Sequence, residues 1–521
     1  MNGSTTIPEL LGQGASRWPD RPLVRFESGT SWTWRESLAA ALVAASALAE
    51  HGVGPGDRVM IMLPNGEEWL RTWWGAALLG AVIAPVNPAY RGQMLADVCA
   101  TVDPSVIAAE DDVAARLPDR WAARRIVPSG LAAATSASAP PEVRVRPSDV
   151  HCLLLTSGTT GPSKASISTH AFVCDFAAWM VEAGGLSERS VFQADMPWFH
   201  LSALAPAVQM MRLGGTVVVR PGPAMATYWQ TAKELGTTFA VAPGTVAQFL
   251  ESAPPSPGDR DHGIEFLLSS PLPSDPAGFV ERFGLRGLCT AYGSTEANLV
   301  ITNALGQPLR AGSCGTARPG FELRIVDDVD APVPAGTVGE LIVRSDRPWV
   351  QSLGYQGDPE ATVRAWRNGW YHTGDALSVD EDGYYYFHDR YRDSLRRRGE
   401  NISSFEVERE VLAFPGVAEA ACVAHPGRFA GDDEVKVFVV PEPGVTIDFP
   451  SLLGFLADRV APFMLPRFLE VVDAFPKTPT LRVQKHVLRA RGNGEATYDR
   501  LAAPAGATGT VVNEFIDECS G

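Results

Sequence analysis

Ten consecutive residues, Leu155-Thr156-Ser157-Gly158-Thr159-Thr160-Gly161-Pro162-Ser163-Lys164, carry the clearest chemistry in the chain. Two glycines, Gly158 and Gly161, are interleaved with the hydroxyls of Thr156, Ser157, Thr159 and Thr160, and Lys164 closes the stretch. Glycines let successive N–H groups turn toward one point and form an anion-binding nest. The hydroxyls add donors and the lysine adds a cation. Hydrogen bonds to a charged acceptor contribute roughly 1.5–3 kcal/mol each, so a few of them make a tight phosphate site. A Ser/Thr/Gly cluster is otherwise a polar surface turn. Its place directly after the apolar, strand-like run Val150 to Leu155 favours the phosphate reading. The pattern differs from the Gly-x4-Gly-Lys-Ser/Thr loop, so a P-loop fold is not implied.

Three further clusters could work on the same ligand. Ala291-Tyr292-Gly293-Ser294-Thr295-Glu296 supplies an aromatic to stack on a base, two hydroxyls, and a carboxylate that could hold Mg²⁺ across phosphate oxygens. Gly369-Trp370-Tyr371-His372-Thr373-Gly374-Asp375 ends in a carboxylate, and Arg390 follows fifteen residues later. An acid and an arginine can grip the two hydroxyls of a ribose, one accepting and the other donating. An ordinary Gly-Asp turn with a solvated arginine fits these residues equally well, and His372 reads as structural. Met196-Pro197-Trp198-Phe199-His200 is an aromatic loop with one imidazole; a packed histidine is its plainer reading, a substrate pocket its functional one.

These residues must be positioned by a chain of 521 residues, long enough for at least two domains. Its 60 acidic and 44 basic residues give a net charge of -16, which disfavours nonspecific nucleic-acid binding and an anionic membrane surface. Seven scattered cysteines include no Cys-x2-Cys pair, so neither a zinc site nor a disulfide framework is expected, and a reducing cytoplasm fits. Met1 to Gln13 lacks the features of a signal peptide. The longest apolar stretch, Trp73 to Ala84, is shorter than the roughly 20 residues a bilayer requires. It reads as a buried helix leading into a short strand that ends at Pro85.

Strand-like and helix-like patterns alternate. Arg58 to Leu63 is followed by Gly66 to Leu79, and Thr216 to Val219 by Thr227 to Leu235 and Phe239 to Ala242. This alternation predicts an α/β fold with largely parallel sheets. After residue 320 the texture becomes β-rich, with strands expected at Glu322–Val326, Gly339–Val343 and Tyr384–Phe387. A charged segment, Asp389 to Arg398, leads to a helix expected at Ser404–Leu412. The chain is therefore divided into a large N-terminal domain (1–391), a small α+β C-terminal domain (392–491) and a loose tail (492–521). The low-complexity stretch Ala132 to Pro141 reads as an exposed loop.

In this order and at these separations, the clusters resemble the adenylate-forming superfamily of acyl- and aryl-CoA synthetases, luciferases and peptide-synthetase adenylation domains. The likeness runs from about Ile7 to Arg489, and stand-alone CoA ligases of the crotonobetaine/carnitine type look most similar. The resemblance implies ATP-dependent activation of a small carboxylic acid as an acyl-adenylate. Transfer to the thiol of CoA follows after the small, mobile domain swings. It further implies that Thr156, Ser157, Gly158, Thr159, Thr160, Gly161 and Lys164 hold the outer phosphates. Tyr292 and Gly293 lie by adenine, Thr295 lies by the phosphate and Glu296 binds Mg²⁺. Asp375 and Arg390 hold the ribose, Arg392 is the hinge and His200 gates the acyl pocket. Homodimers are common among such relatives.

Two departures matter. The catalytic lysine of the family falls at Arg482, in Pro479-Thr480-Leu481-Arg482-Val483-Gln484-Lys485. Arginine keeps the charge but is wider and forked, and Lys485 is a candidate substitute. Removing such a charge typically costs about 10²–10³ in rate, and exchange for arginine should cost less. Upstream of Tyr292, Ser269-Ser270-Pro271 replaces a Gly-Gly-Ala pattern, which predicts a smaller or more polar pocket. These departures also suit an ATP-dependent diazotase that adenylates nitrite and nitrosates an arylamine. A nucleotide-binding pseudoenzyme is disfavoured by the retained phosphate loop, Glu296 and Asp375. A peptide-synthetase domain is disfavoured by the absence of aspartate between Met196 and Pro206.

Overall fold

Runs of Val, Ile, Met and Ala such as Arg58–Met62 and Val106–Ala109 are buried along nearly their whole length, as strands covered on both faces must be. In this computed structural model, residues 5–133, 140–156, 163–182, 185–390, 394–398, 400–428, 432–476 and 483–502 are described. Arg58–Met62 pairs in parallel with Val82–Pro85 and Val106–Ala109, and Val82–Pro85 in parallel with Val150–Thr156. With Arg125–Ile126 and Lys164–Thr169 they make a six-stranded sheet. Helix Glu67–Leu78 precedes Val82–Pro85, as the apolar run from Trp73 predicts.

A thirteen-stranded sheet holds the other strands of this unit. Val191–Ala194, Phe239–Pro243, Phe266–Ser270 and Gly287–Ser294 are neighbours paired in parallel. The next neighbour of Gly287–Ser294 is antiparallel, Asn298–Asn303, so the sheet changes direction at the strand that carries Tyr292. Ligands of open α/β sheets bind beyond the carboxyl ends of the strands. Met196–His200, Ser269–Ser270 and Tyr292–Glu296 all sit at such ends. The β-rich texture after residue 320 corresponds to Phe321–Val326, Gly339–Ser345, Tyr371–Val379 and Tyr384–Arg390, which continue this sheet. Among the described residues no helix is long and apolar enough to cross a membrane. The six described cysteines are free thiols.

The chain forms two compact units. The first is Met1–Pro88, Cys99–Leu155 and Ala165–Asp389; the second is Ala89–Val98, Thr156–Lys164 and Arg390–Gly521. A single cut at Arg392 does not anticipate that two short internal segments join the second unit. The physical reason is packing: Met94 lies in one apolar core with Leu395, Ile402, Val407 and Leu456. The second unit has a four-stranded sheet, Val417–Pro426, Asp433–Pro441, Phe468–Val471 and Tyr498–Asp499, with helices Ser404–Leu412 and Phe449–Ala457. The stretch from Gly492, read from sequence as a loose tail, contributes strand Tyr498–Asp499. The buried Lys436 ammonium donates to Glu470 at 2.9 Å, to Asn493 Oδ1 at 3.0 Å and to the Gly492 carbonyl. Residues 503–521 lie outside the described residues, as do 134–139 of the expected exposed loop.

Two polar arrangements are buried in the first unit. Arg318 and Asp175 are 1% and 3% exposed and pair at 2.9 Å, and Arg347 joins the same carboxylate. Removing one partner of such a pair costs about 3–5 kcal/mol. The His151 and His170 rings lie in tilted contact with centres 4.3 Å apart, with Trp73 Nε1 donating to His151 Nε2 and Ile7 N to His170 Nδ1. Burial pushes His170 down to about 4 and holds His151 well below its ordinary value, with His170 adding to the second effect.

Because the folded values are depressed, protons favour the unfolded chain. The stability contributed by the neutral pair is present above about pH 6.5 and is lost as pH falls toward 4. For His170 the contribution is on the order of 3 kcal/mol. The urea midpoint should therefore be flat above neutrality and fall steeply between these limits. In His170→Phe the midpoint should start lower and fall less; an unchanged slope would contradict the assignment.

Candidate functional site

The strand Gly287–Ser294 delivers Tyr292 and Gly293 at its carboxyl end, where its register with Asn298–Asn303 shifts between these two residues. A Cβ on Gly293 would lie 2.2 Å from the Asn298 carbonyl oxygen, so only glycine lets the strands approach this closely. Ser294 Oγ then accepts from Glu296 N at 3.3 Å and Ala297 N at 3.0 Å, folding the chain back. This turn places Glu296, 7% exposed, under the Tyr355 hydroxyl, which donates to Glu296 Oε1 at 3.0 Å. Burial first, and the charge of Glu296 second, push the Tyr371 hydroxyl well above its ordinary value, so it stays protonated.

The strand Lys164–Thr169 is tied to the same turn. Ser166 Oγ donates to the Thr295 carbonyl at 3.3 Å and to Ser352 Oγ at 2.8 Å. Ser352 N donates to the Glu296 carbonyl at 2.9 Å, and Ser166 bridges Tyr355. Asp375 lies 83 residues beyond Tyr292 in sequence, yet the Tyr292 hydroxyl donates to its Oδ2 at 2.6 Å. Asp375 N in turn donates to Thr373 Oγ1 at 3.1 Å. Tyr292, Thr295, Glu296 and Asp375 are thus brought together. His372 is buried with Nδ1 3.1 Å from Glu340, in keeping with its structural reading.

The aromatic loop is framed by Asn65, whose Nδ2 donates to the Met196 carbonyl at 2.8 Å and whose Oδ1 accepts from Trp198 N at 3.0 Å. Trp198 is buried against Trp69, ring centres 5.0 Å apart, while Phe199 and His200 are half-buried and in ring contact at 4.7 Å. Asp195, just upstream, is pushed up to about 6 by burial, with Gln193 donating to it at 2.8 Å. The two serines that depart from the family pattern are spent on backbone. Ser269 Oγ donates to the Pro271 carbonyl and Ser270 Oγ to the Ala291 carbonyl, at 2.8 and 2.7 Å.

In the second unit, Thr156 ends one strand and Lys164 begins another. Ser163 donates from N and Oγ to Glu406 Oε1, at 3.1 and 2.8 Å. Lys485 donates to Ser404 Oγ at 2.7 Å and pairs with Glu408 at 2.8 Å. Arg390 ends the strand Tyr384–Arg390. Ser157, Gly158, Thr159, Thr160, Gly161, Arg392 and Arg482 lie outside the described residues.

Sequence reading passed over Tyr355, Ser352, Asn65 and Ser166, and gave Tyr371 no role of its own. Only Ser166 left a trace, since hydroxyls continue beyond Lys164 as Ser166, Ser168 and Thr169.

A parallel sheet that reverses beside a Tyr-Gly-x-Thr-Glu turn, with an acid delivered to the tyrosine from a distant strand, defines an adenylate-forming architecture. The AMP-binding enzyme family model matches residues 11–355, and the AMP-binding enzyme C-terminal domain matches residues 406–481. A feruloyl-CoA synthase from Amycolatopsis sp is 31% identical, covering 92% of this chain and 100% of that protein. A crotonobetaine/carnitine–CoA ligase from Salmonella typhi is 29% identical, covering 84% and 89%. A double mutant of o-succinylbenzoate CoA synthetase from Bacillus subtilis has the same fold, with TM-score 0.82, 23% identity, and 94% and 99% of the two chains covered. The chain belongs to the AMP-binding enzyme family and is an adenylate-forming enzyme of the AMP-forming acid–CoA ligase type.

Tyr355→Phe leaves the Glu296 carboxylate without its hydroxyl donor. It should lower the unfolding free energy by roughly 1.5–3 kcal/mol in urea titrations. A loss below about 0.5 kcal/mol, the size of an ordinary surface change, would show that the bond is not made in solution.

Proposed function

We propose that this enzyme activates a small carboxylic acid with ATP and transfers the acyl group to the thiol of CoA. In the first half-reaction a carboxylate oxygen attacks the α-phosphorus, and the bond to the bridging oxygen of the β-phosphate breaks to release pyrophosphate. In the second, the thiolate sulfur attacks the acyl carbon, AMP leaves, and the thiol proton passes to solvent. Attack at phosphorus builds charge on oxygens, so fixed donors contribute most there.

The observation that carries this reading is the 2.6 Å bond from Tyr292 to Asp375, with Glu296 on the turn that follows the tyrosine. Tyr292 and Gly293 face adenine, Asp375 with Arg390 holds the ribose, and Thr295 lies by the phosphate. The loop of Thr156, Ser157, Gly158, Thr159, Thr160, Gly161 and Lys164 holds the outer phosphates. His200 borders the acyl pocket, Arg392 is the hinge, and Arg482, with Lys485 as the alternative, supplies the positive charge at the reacting phosphate. Glu296 fits Mg²⁺: a carboxylate is a hard oxygen ligand, and it is buried with Oε1 fixed by the Tyr355 hydroxyl. Held there, the ion would neutralise charge developing on the phosphate oxygens. Free cysteines support a reducing, cytoplasmic setting.

The names of the curated relatives support CoA as acceptor. Ser269 and Ser270 donate to backbone carbonyls, so their replacement of the glycine pattern does not by itself call for nitrite chemistry.

Pyrophosphate release should appear with members of a carboxylate panel plus CoA and be absent with nitrite plus an arylamine. Signal with nitrite alone would replace this reading with the diazotase. Glu296→Gln should lower Mg²⁺-dependent turnover about 10²–10³-fold while the melting temperature stays close to that of the parent. Undiminished turnover would remove Glu296 from the metal site.

A further inference from the structure

Asp330, Glu340 and His372 bring ligand-type atoms within 4.8 Å of one another. A cation does not need to be invoked there. The Arg367 guanidinium already stands between the acids, with Nη2 3.1 Å from Asp330 and 3.3 Å from Glu340. Asn368 donates to Asp330 at 2.7 Å. The group is therefore a charge-compensated scaffold, and what it supports is the chain beside it.

Strands Gly339–Ser345 and Tyr371–Val379 are antiparallel, and their register shifts between Glu340 and Ile342. Glu340 faces Ala376 and Ile342 faces His372, so Thr373, Gly374 and Asp375 stand opposite Leu341 alone. The strand bulges at the acid that meets Tyr292. Bulges of this kind re-aim a side chain at the cost of ladder hydrogen bonds. Here the missing bonds are supplied by side chains. Glu340 Oε1 accepts from Gly374 N at 2.9 Å, and Thr373 Oγ1 donates to the Leu341 carbonyl at 2.7 Å while accepting from Asp375 N at 3.1 Å. Gly374 has φ +70°, the left-handed region, which the bulge requires and glycine allows. Glu340 is held in turn at Oε2 by His372 Nδ1 and Arg367.

We propose that Glu340 is a positioning residue: its carboxylate, fixed by His372 and Arg367, braces the Thr373–Asp375 bulge and so sets the hold of Asp375 on the ribose hydroxyls of ATP. This rests on the assignment of Asp375 to the ribose. The effect belongs to the sugar, so the readout is the ratio of kcat/KM for ATP to that for 2′,3′-dideoxy-ATP in pyrophosphate release.

Glu340→Ala should lower this ratio at least about tenfold, equivalent to about 1.4 kcal/mol. Glu340→Gln, which keeps an acceptor for Gly374 N, should retain it within about threefold. Asp375→Asn sets the floor. A ratio in Glu340→Ala equal to the parent, with Asp375→Asn at the floor, would overturn the proposal and leave Glu340 merely structural. An unchanged ratio in Asp375→Asn would instead refute the ribose assignment itself. If Glu340→Ala does not fold, Thr373→Val tests the same bulge from its other bond. A fall in the ratio there supports the bracing, and an unchanged ratio overturns it.

Discussion

The turn that carries Glu296 depends on a short stretch of pairing between Ala165–Ile167 and Leu353–Gln356. Ile167 N meets the Gly354 carbonyl and Leu353 N the Ile167 carbonyl, each at 2.9 Å, and Gln356 N meets the Ala165 carbonyl at 2.8 Å. One side of this pairing belongs to a strand of the six-stranded sheet. The other supplies Ser352 and Tyr355, which bond the backbone and the carboxylate of Glu296 beyond the end of a strand in the thirteen-stranded sheet. Two sheets with separate strand orders are thereby joined through the strand Lys164–Thr169.

The way the acids are held differs with their task. Asp175 and Glu340 are bound by arginines, so their charge is cancelled and they serve as struts. Glu296 and Asp375 are instead each held by a tyrosine hydroxyl, from Tyr355 and Tyr292. A neutral donor fixes an oxygen without neutralising it, which keeps the charge available to a cation or to hydroxyl donors of a ligand. The site is preorganised by donors that do not compete for its charge.

Much of this was legible in the chain. The alternation of strand and helix, the β-rich texture after residue 320 and the helix Ser404–Leu412 follow from local periodicity, which a buried face imposes on sequence. The Tyr292–Glu296 cluster was legible because a glycine, two hydroxyls and an acid in six residues is a chemical composition rather than a packing pattern. The stabilising partners were not. Tyr355 is 59 residues from Glu296, Glu340 is 34 from Gly374, and neither sits in a run that distinguishes it from an ordinary strand or turn residue. The inference that Ser269 and Ser270 make the pocket more polar also depended on direction, and their hydroxyls turn to backbone carbonyls instead.

The amino-acid order alone thus determined the class of architecture, the identity of the chemical groups and the family, because periodicity, composition and spacing are properties of neighbours along the chain. Only the tertiary structure decided which groups meet: that Tyr292 orients Asp375, that Tyr355 supports Glu296, that a three-residue bulge aims the acid, and that Ala89–Val98 folds with the smaller unit. The physical reason is that hydrogen bonds act over about 3 Å in space, whatever the separation in sequence. Strand order and register, which set those distances here, arise from the burial of whole faces and leave no mark at the individual residue.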